Sequence, residues 1–340
     1  MPATRQTTFM KLLLQLPCPH LRLQILAAIP ILIAIFLTCS DSVKAQDKLV
    51  KTSQDGEFNF ETENISGTIQ TQGRYHGVSR LIDKRSGRQF VDERYSALNL
   101  FKLMSINQVM DQPRGMERSF KTGPDWVEII WGPSDGHQGE LTARYEIRPP
   151  NAIDLIVTVE SKGHYPAYEV FLSSYFDKLL RPHIHLKSRG KKPPELVSPV
   201  FNEVFKDTLL VFPRDSHAAR LCLDGRWDRN ERKTPTVQLS PVRHYAHALA
   251  FVTDPELKTA VALMARPEHV YAISGRYVSN DEGPRQTEYT AFDYALFGND
   301  FNPGDKHSVR VRLEVIPLNE QDLSAPLKRY QAFLKESPKP

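Results

Sequence analysis

The sequence predicts an all-β domain, an antiparallel sandwich or barrel that ends in a short helix. Short runs of alternating apolar and polar residues fill most of the chain, and Pro, Gly, Asn and Asp separate them at short intervals. That pattern is typical of strands joined by tight turns. Helical periodicity is clear only near the C-terminus, and no internal repeat interrupts the strand pattern.

Pairs of alternating runs predict individual strands. Two hairpins are expected, each with a proline turn between its runs: residues 141–147 with 153–159, and residues 248–252 with 260–264. A third pair, residues 289–297 and 309–316, is joined across a Pro-Gly turn. In its second run the odd-numbered residues are apolar, whereas Arg310, Arg312 and Glu314 alternate with them. We therefore expect one buried face and one wet face.

The helix is predicted at the end of the chain. Its apolar stripe has helical spacing and consists of Leu323, Leu327, Tyr330 and Leu334. Ser324 is placed to cap the first turn, where Pro326 is also tolerated. We therefore expect a sandwich domain over residues 57–318, followed by a docked helix and tail over residues 319–340.

Residues 1–45 are predicted to be an export signal. A basic start is followed by an unbroken apolar run over residues 25–37, and small residues precede Gln46 where a signal peptidase would cut. The run is short for a membrane span of roughly 20 residues, so we expect no stable membrane insertion after cleavage. The mature protein is then secreted or periplasmic, with a disordered segment over residues 46–56. Lipidation at Cys39 is the alternative.

Charge and cysteine content exclude several classes of function. The net charge is +4, most of which comes from the signal, so nucleic acid is not expected as a partner. Removing the signal leaves Cys222 alone in an apolar string, which excludes an intrachain disulfide and favours a buried structural thiol. Nucleophile-elbow, phosphate-loop and paired-cysteine zinc motifs are absent, and we expect no cofactor.

The first strands carry a polar and aromatic stretch, Gly-Arg-Tyr-His-Gly-Val-Ser-Arg-Leu, over residues 73–81. His76 in this stretch is a candidate ligand-binding residue. A chain whose first strands form a hairpin with a stretch of this kind resembles the galactose-mutarotase-like family, and the resemblance covers residues 58–318. The resemblance implies a large antiparallel β super-sandwich and a carbohydrate ligand. The family includes aldose epimerases, domains of glycoside hydrolases and polysaccharide lyases, and sugar binders without catalytic activity.

A second candidate region has the side chains that sugar sites combine: carboxylates, arginines and an aromatic face. Its ligand-binding candidates are Asp224, Arg226, Trp227 and Asp228. Just before them, Asp215 and His217 would form an acid–base pair on one strand face, if this stretch is a strand. We expect Asp215 or Glu169 as base, His217 as acid, and Arg214 or Arg226 to orient a hydroxyl or a uronate. The alternative is an Asp–Arg network that holds a turn.

Further candidates lie elsewhere in the chain. Glu169 follows a Tyr-Pro-Ala-Tyr stretch, where aromatic surroundings would raise its pKa and suit it to acid–base work. His247 either lines a cleft or is a satisfied core histidine. His183 and His185 have the strand spacing that places two imidazoles on one metal, which gives a metal-dependent hydrolase as an alternative.

The sequence therefore predicts an exported carbohydrate-binding or carbohydrate-active protein and leaves catalysis open. The rival hypothesis is an envelope or interaction protein without catalytic activity, in which these polar clusters only connect loops.

Overall fold

The computed structural model describes residues 49–51, 55–92, 94–199, 209–227, 237–239, 243–276 and 289–337. All of them belong to one compact unit, Asp47–Pro340. The predicted signal over residues 1–45 lies outside the described residues, and so does Asp228.

Antiparallel strands make up most of the described chain. In chain order they are β1 (Val50–Lys51), β2 (Glu57–Glu61), β3 (Ile65–Gln70), β4 (Gly77–Asp83), β5 (Arg88–Gln89), β6 (Asn99–Ser105), β7 (Gln108–Asp111), β8 (Ser119–Thr122), β9 (Trp126–Trp131), β10 (Gly139–Arg148), β11 (Ala152–Ser161), β12 (Glu169–Phe176), β13 (Arg181–Leu186), β14 (Glu195–Val197), β15 (Leu209–Pro213), β16 (Val237–Leu239), β17 (Tyr245–Thr253), β18 (Thr259–Ala265), β19 (Val270–Arg276), β20 (Thr290–Phe297) and β21 (Lys306–Pro317). The helices are α1 (Ser216–Cys222) and α2 (Ala325–Lys335).

The described strands form three sheets. A five-stranded sheet has the order β1-β2-β3-β4-β5. A seven-stranded sheet has the order β16-β15-β19-β20-β12-β6-β7, and a nine-stranded sheet has the order β14-β13-β17-β18-β21-β11-β10-β9-β8. The pairings are antiparallel apart from β15 with β16. The predicted fold class, a large antiparallel super-sandwich with a short C-terminal helix, is confirmed.

Both predicted hairpins are present. Strand β10 pairs with β11, with Gly139 opposite Ser161 at one end and Arg148 opposite Ala152 at the other, and β17 pairs with β18. The third predicted pair behaves differently, because β20 lies in the seven-stranded sheet and β21 in the nine-stranded sheet. The Pro-Gly turn between them therefore joins the two sheets and does not form a hairpin.

The core lies between the seven-stranded and nine-stranded sheets. Val170 and Leu172 from β12 pack into it, as do Val311 and Leu313 from β21. The prediction of a buried apolar face on β21 is confirmed. The prediction that its other face is wet is wrong, since Arg312 and Glu314 are buried there. Helix α2 covers that face, and Asp154 and Glu336 form ion pairs with Arg312.

Helix α2 docks on the outer face of the nine-stranded sheet, as predicted. Its buried residues are Pro326, Tyr330 and Phe333. Phe333 contributes more to the interface than Leu327 and Leu334 of the predicted stripe, which are partly buried. Ser324 occupies the N-cap position, but its side chain makes no capping hydrogen bond. Instead, Asp322 accepts a hydrogen bond from the Ser324 backbone N–H at 2.9 Å.

Two further predictions concern order and membranes. The disorder expected over residues 46–56 does not extend to Val50–Lys51, which pair with Asn59 and Phe58 of β2. Within the described ranges, neither helix is long and apolar enough to cross a membrane. Cys222 is buried, as predicted for a structural thiol, and burial together with the nearby Glu169 raises the pKa of its thiol.

Candidate functional site

The outer face of the seven-stranded sheet carries most of the polar and aromatic groups of interest. Side chains alternate along a strand, so β12 sends Val170 and Leu172 into the core. The intervening residues Glu169, Phe171, Ser173 and Tyr175 therefore line the opposite face. Helix α1 and the segment after it cover one end of this face, where Phe171, Cys222 and Trp227 form a second apolar cluster.

A row of polar side chains crosses the centre of this face. The strand registers place Asn99 of β6 opposite Ser173, Ser173 opposite Asp293 of β20, and Asp293 opposite Ser274 of β19. The Ser274 hydroxyl donates to Asp293 Oδ2 at 3.2 Å. The Ser173 hydroxyl is buried without a hydrogen-bond partner among the described residues. Buried hydroxyls in native proteins nearly always have partners, so this one indicates a place for a ligand or a bound water.

Four tyrosines lie beside the polar row, and we call them the tyrosine cluster: Tyr75, Tyr95, Tyr175 and Tyr289. Tyr95 stacks on Tyr175 with ring centroids 4.9 Å apart, and Tyr289 meets the Tyr175 ring edge-on at 4.9 Å. Tyr75 contacts the Tyr95 ring edge-on at 4.9 Å. Burial raises the pKa of Tyr175 to about 12, so its hydroxyl stays neutral and able to donate a hydrogen bond.

Arg114 connects the tyrosine cluster to the polar row. Its guanidinium lies 4.0 Å from the Phe101 ring centroid and 4.5 Å from that of Tyr75. Its Nε donates to Asn99 Oδ1 at 2.5 Å, and its Nη2 donates to the Tyr175 hydroxyl at 3.0 Å. A planar cation is thereby held in one orientation by two rings and two hydrogen bonds.

His76, a predicted ligand-binding residue, lies behind this site and not on its surface. It is fully buried, and its backbone carbonyl accepts a hydrogen bond from Asn99 Nδ2 at 2.8 Å. Its Nε2 accepts a hydrogen bond from the Leu100 backbone N–H at 3.0 Å. Burial lowers the pKa of His76, and the charges of Arg118 and Arg114 add to the effect. The His76 backbone carbonyl therefore positions the Asn99 side chain, while the neutral imidazole accepts from the backbone of β6.

Four other predicted site residues come together at the opposite end of β12: Glu169, Asp224, Arg226 and Trp227. Tyr271 joins them, and we call these five residues the buried carboxylate cluster. Arg226 Nη1 lies 3.3 Å from Glu169 Oε2, and Arg226 Nη2 lies 2.8 Å from Asp224 Oδ2. The Trp227 indole N–H donates to Glu169 at 3.1 Å, and the Tyr271 hydroxyl donates to the same carboxylate. Burial raises the pKa of Glu169, against the opposing effect of these donors.

Burial decides what the buried carboxylate cluster can do. Trp227 is only 4% exposed and packs edge-on against Phe171, so its ring offers no free face to a sugar. Arg226 also donates to the Ala167 carbonyl at 2.7 Å. The cluster therefore fastens the segment after α1 to the sheet, which is the network alternative considered for this region. The structure does bring Glu169, Asp224 and Arg226 together, but Glu169 and Arg226 are fully buried and only the Asp224 side chain, 17% exposed, reaches the surface.

The candidate acid–base pair lies on a helix and not on a strand. Asp215 is the N-cap of α1, and its carboxylate accepts a hydrogen bond from the Ala218 N–H at 2.9 Å. Burial opposes its charged form, but this bond and the Arg214 guanidinium at 2.9 Å outweigh burial and lower the pKa of Asp215. His217 is exposed in the first turn. Asp215 therefore caps α1 in this structure, and Arg214 forms an ion pair with that capping carboxylate.

The candidate metal residues lie on the outer face of the nine-stranded sheet. The His183 ring stacks on the Phe251 ring with centroids 4.9 Å apart, and its Nε2 forms a hydrogen bond with the Thr253 hydroxyl. The rings of His185 and His247 have centroids 5.5 Å apart. Burial lowers the pKa of His183 and that of His185 to about 4. No group of three metal-ligating side chains occurs among the described residues. His247 packs against Tyr330 of α2, away from the seven-stranded sheet.

Sequence reasoning missed five residues of the outer face: Asn99, Arg114, Ser173, Ser274 and Asp293. They come from distant parts of the chain and form no local motif. No local signal in the sequence marks them as a group. Only the strand registers bring these residues into one row.

Comparison with known proteins gives matches among solved structures only. No protein-family model and no curated protein matches the chain. One matched structure is an Escherichia coli K12 protein assigned provisionally as an aldose 1-epimerase, with a TM-score of 0.45 and 9% identity over 76% of this chain and 98% of that one. The heparan sulfate lyase HepC of Pedobacter heparinus has a TM-score of 0.44 and 8% identity, over 84% of this chain and 41% of the lyase.

A third match is the 4-alpha-glucanotransferase of Thermococcus litoralis, with a TM-score of 0.43 and 10% identity, over 80% of this chain and 40% of that one. At these identities the likeness concerns the arrangement of the sheets alone.

Proposed function

We propose that the outer face of the seven-stranded sheet binds a carbohydrate. The observation that carries the proposal is the polar row from Asn99 to Ser274, bordered by the tyrosine cluster. Sugar recognition needs hydrogen-bonding groups for the hydroxyls and an aromatic face for the apolar side of the ring. The Ser173 hydroxyl and the Asp293 carboxylate supply the polar groups, and both side chains are themselves buried, at 1% and 5% exposure. The Tyr95 and Tyr289 rings are partly exposed and form the accessible, aromatic part of the site.

Replacing Tyr95 tests this placement. A glycan array on the purified mature chain identifies ligands, and calorimetric titration then compares variants. We expect Tyr95→Ala to weaken binding by about 1–3 kcal/mol, by analogy with the loss of base–aromatic stacking. The matched control is Trp126→Ala, because Trp126 is also partly exposed but lies on β9 of the nine-stranded sheet.

Equal affinity of Tyr95→Ala and wild type, with both folded, would remove the tyrosine cluster from the site. If no glycan binds the wild-type protein, the interaction-protein hypothesis takes the place of this one.

The proposal includes export, which follows from the charge and apolar pattern of residues 1–45. Intact-mass measurement of the protein recovered from outside the cytoplasm should give a chain that starts at Gln46. A lipid-modified chain that starts at Cys39 would contradict this cleavage site and support membrane anchoring.

A further inference from the structure

Arginines surround the tyrosine cluster. Arg74 lies 5.7 Å from the Tyr75 ring centroid, and Arg94 lies 5.4 Å from that of Tyr95. Arg114 lies between Tyr75 and Phe101. Arg118 adjoins the site from behind, with Nη1 3.2 Å from His76 Nδ1.

Most of this positive charge is not neutralised by the described protein. Arg94 forms an ion pair with Asp92 at 3.1 Å. For Arg74, Arg114 and Arg118, the described residues place no carboxylate within 4.0 Å. Asp293, the carboxylate of the polar row, accepts a hydrogen bond from Ser274. The site therefore has an excess of positive charge, which favours an anionic ligand.

Arg114 is held in a geometry suited to an anion. Its Nε donates to Asn99 and one N–H of its Nη2 donates to Tyr175. Its Nη1 group has no hydrogen-bond partner among the described residues. The two flanking rings fix the guanidinium plane. A fixed guanidinium with free N–H donors binds the paired oxygens of a carboxylate or sulfate group.

We propose that the ligand of this face is an acidic glycan, whose carboxylate or sulfate groups are bound by Arg114 and attracted by Arg74 and Arg118. This inference depends on the proposed carbohydrate site and adds the class of sugar that enters it. The polar row then binds hydroxyl groups of the same chain of sugars, while the tyrosine cluster packs against their apolar faces.

Matched pairs of glycans test the inference. The acidic probes are oligomers of polygalacturonate, alginate, hyaluronan, chondroitin sulfate and heparan sulfate, and each is compared with its carboxyl-reduced or desulfated form. We expect at least one acidic probe to bind the full mature protein roughly 10- to 100-fold more tightly than its neutral partner. Affinity for that probe should fall as the salt concentration rises, because the attraction is electrostatic.

Arg114→Gln should remove most of the preference, so that the ratio of acidic to neutral affinity falls toward one, whatever it does to binding of the neutral form through Asn99 and Tyr175. Arg114→Lys should recover the preference only in part, because it keeps the charge but loses the planar fork. The matched control is Arg144→Gln, since Arg144 also lies over an aromatic ring, Trp126 at 4.0 Å, on the nine-stranded sheet. Salt titration of the wild type gives a second measurement if Arg114→Gln does not fold.

The possible results separate the two proposals. Neutral glycans that bind as tightly as their acidic partners, without salt dependence, overturn the acidic preference and leave the carbohydrate site standing. Absence of binding to every glycan, acidic or neutral, overturns both. An acidic preference that survives Arg114→Gln but is lost in Arg144→Gln places the anion site on the other sheet.

Discussion

Arg226→Leu is expected to lower the free energy of unfolding by about 3–5 kcal/mol, the range observed when one partner of a buried ion pair is removed. The Arg226 and Glu169 side chains are both fully buried, 3.3 Å apart. Leucine would leave the Glu169 carboxylate with the Trp227 and Tyr271 donors and no cation. Denaturant unfolding followed by circular dichroism measures the loss.

Two companion variants isolate the cause. Arg144→Leu removes an arginine whose side chain is 34% exposed and paired with Glu146, so we expect a loss within about 1 kcal/mol. Glu169→Leu combined with Arg226→Leu removes both charges and should recover part of the loss. A loss for Arg226→Leu no larger than that for Arg144→Leu would show that the buried carboxylate cluster does not hold the segment after α1.

The pH dependence of the same variant follows from Glu169. Burial raises the pKa of Glu169 above its ordinary value of 4.5 in the folded state. The folded state thus holds this proton more tightly than the unfolded state, and the resulting stability is present below about pH 4.5 and lost as the pH rises. Without Arg226 this effect grows, so the deficit of Arg226→Leu should be smaller at pH 4 than at neutral pH.

Local pattern predicts the strands of this fold but not which faces are covered. The hairpin of β10 and β11 follows from the alternation of its two strands and the proline turn between them, and all of these lie within about 25 residues of sequence. Alternation in β21 likewise predicts its apolar face. The burial of Arg312 and Glu314 depends on α2, whose docking position is a tertiary contact that no periodicity in β21 records.

The helix α1 shows a different kind of error. Asp215 precedes Ser-His-Ala-Ala-Arg, and an aspartate before a run of helix-forming residues is a capping signal. Interpreting Asp215 and His217 as an acid–base pair on a strand ignored that signal. The carboxylate found its partner in the Ala218 N–H, as the capping signal would have predicted.

The candidate site depended on information that the sequence does not contain locally. Asn99, Ser173 and Asp293 are far apart in the chain and become neighbours only through the registers of β6, β12 and β20. A bulge between Phe171 and Leu172 shifts the register of β12 against β6. A shift of one residue moves a side chain to the other face, so alternation alone could not place Ser173 beside Asn99.

Asp293→Asn is expected to weaken binding of the glycan found in the array roughly 10- to 100-fold, whereas Asp215→Asn should leave it within about twofold. Asp293 stands in the polar row, where a carboxylate accepts charge-assisted hydrogen bonds from sugar hydroxyls worth about 1.5–3 kcal/mol. Asparagine keeps the shape but loses the charge.

The variants at Asp215 test its role as a helix cap through the free energy of unfolding. Asp215→Asn keeps a good N-cap residue, so Asp215→Ala is added, and we expect it to lower the free energy of unfolding by about 0.5–2 kcal/mol without changing glycan affinity. Calorimetric titration and denaturant unfolding of all three variants give the two quantities side by side. The opposite pattern, with affinity lost in Asp215→Asn and kept in Asp293→Asn, would return the site to the N-terminus of α1. The present geometry argues against that outcome, because the Asp215 carboxylate is already engaged by Ala218 and Arg214.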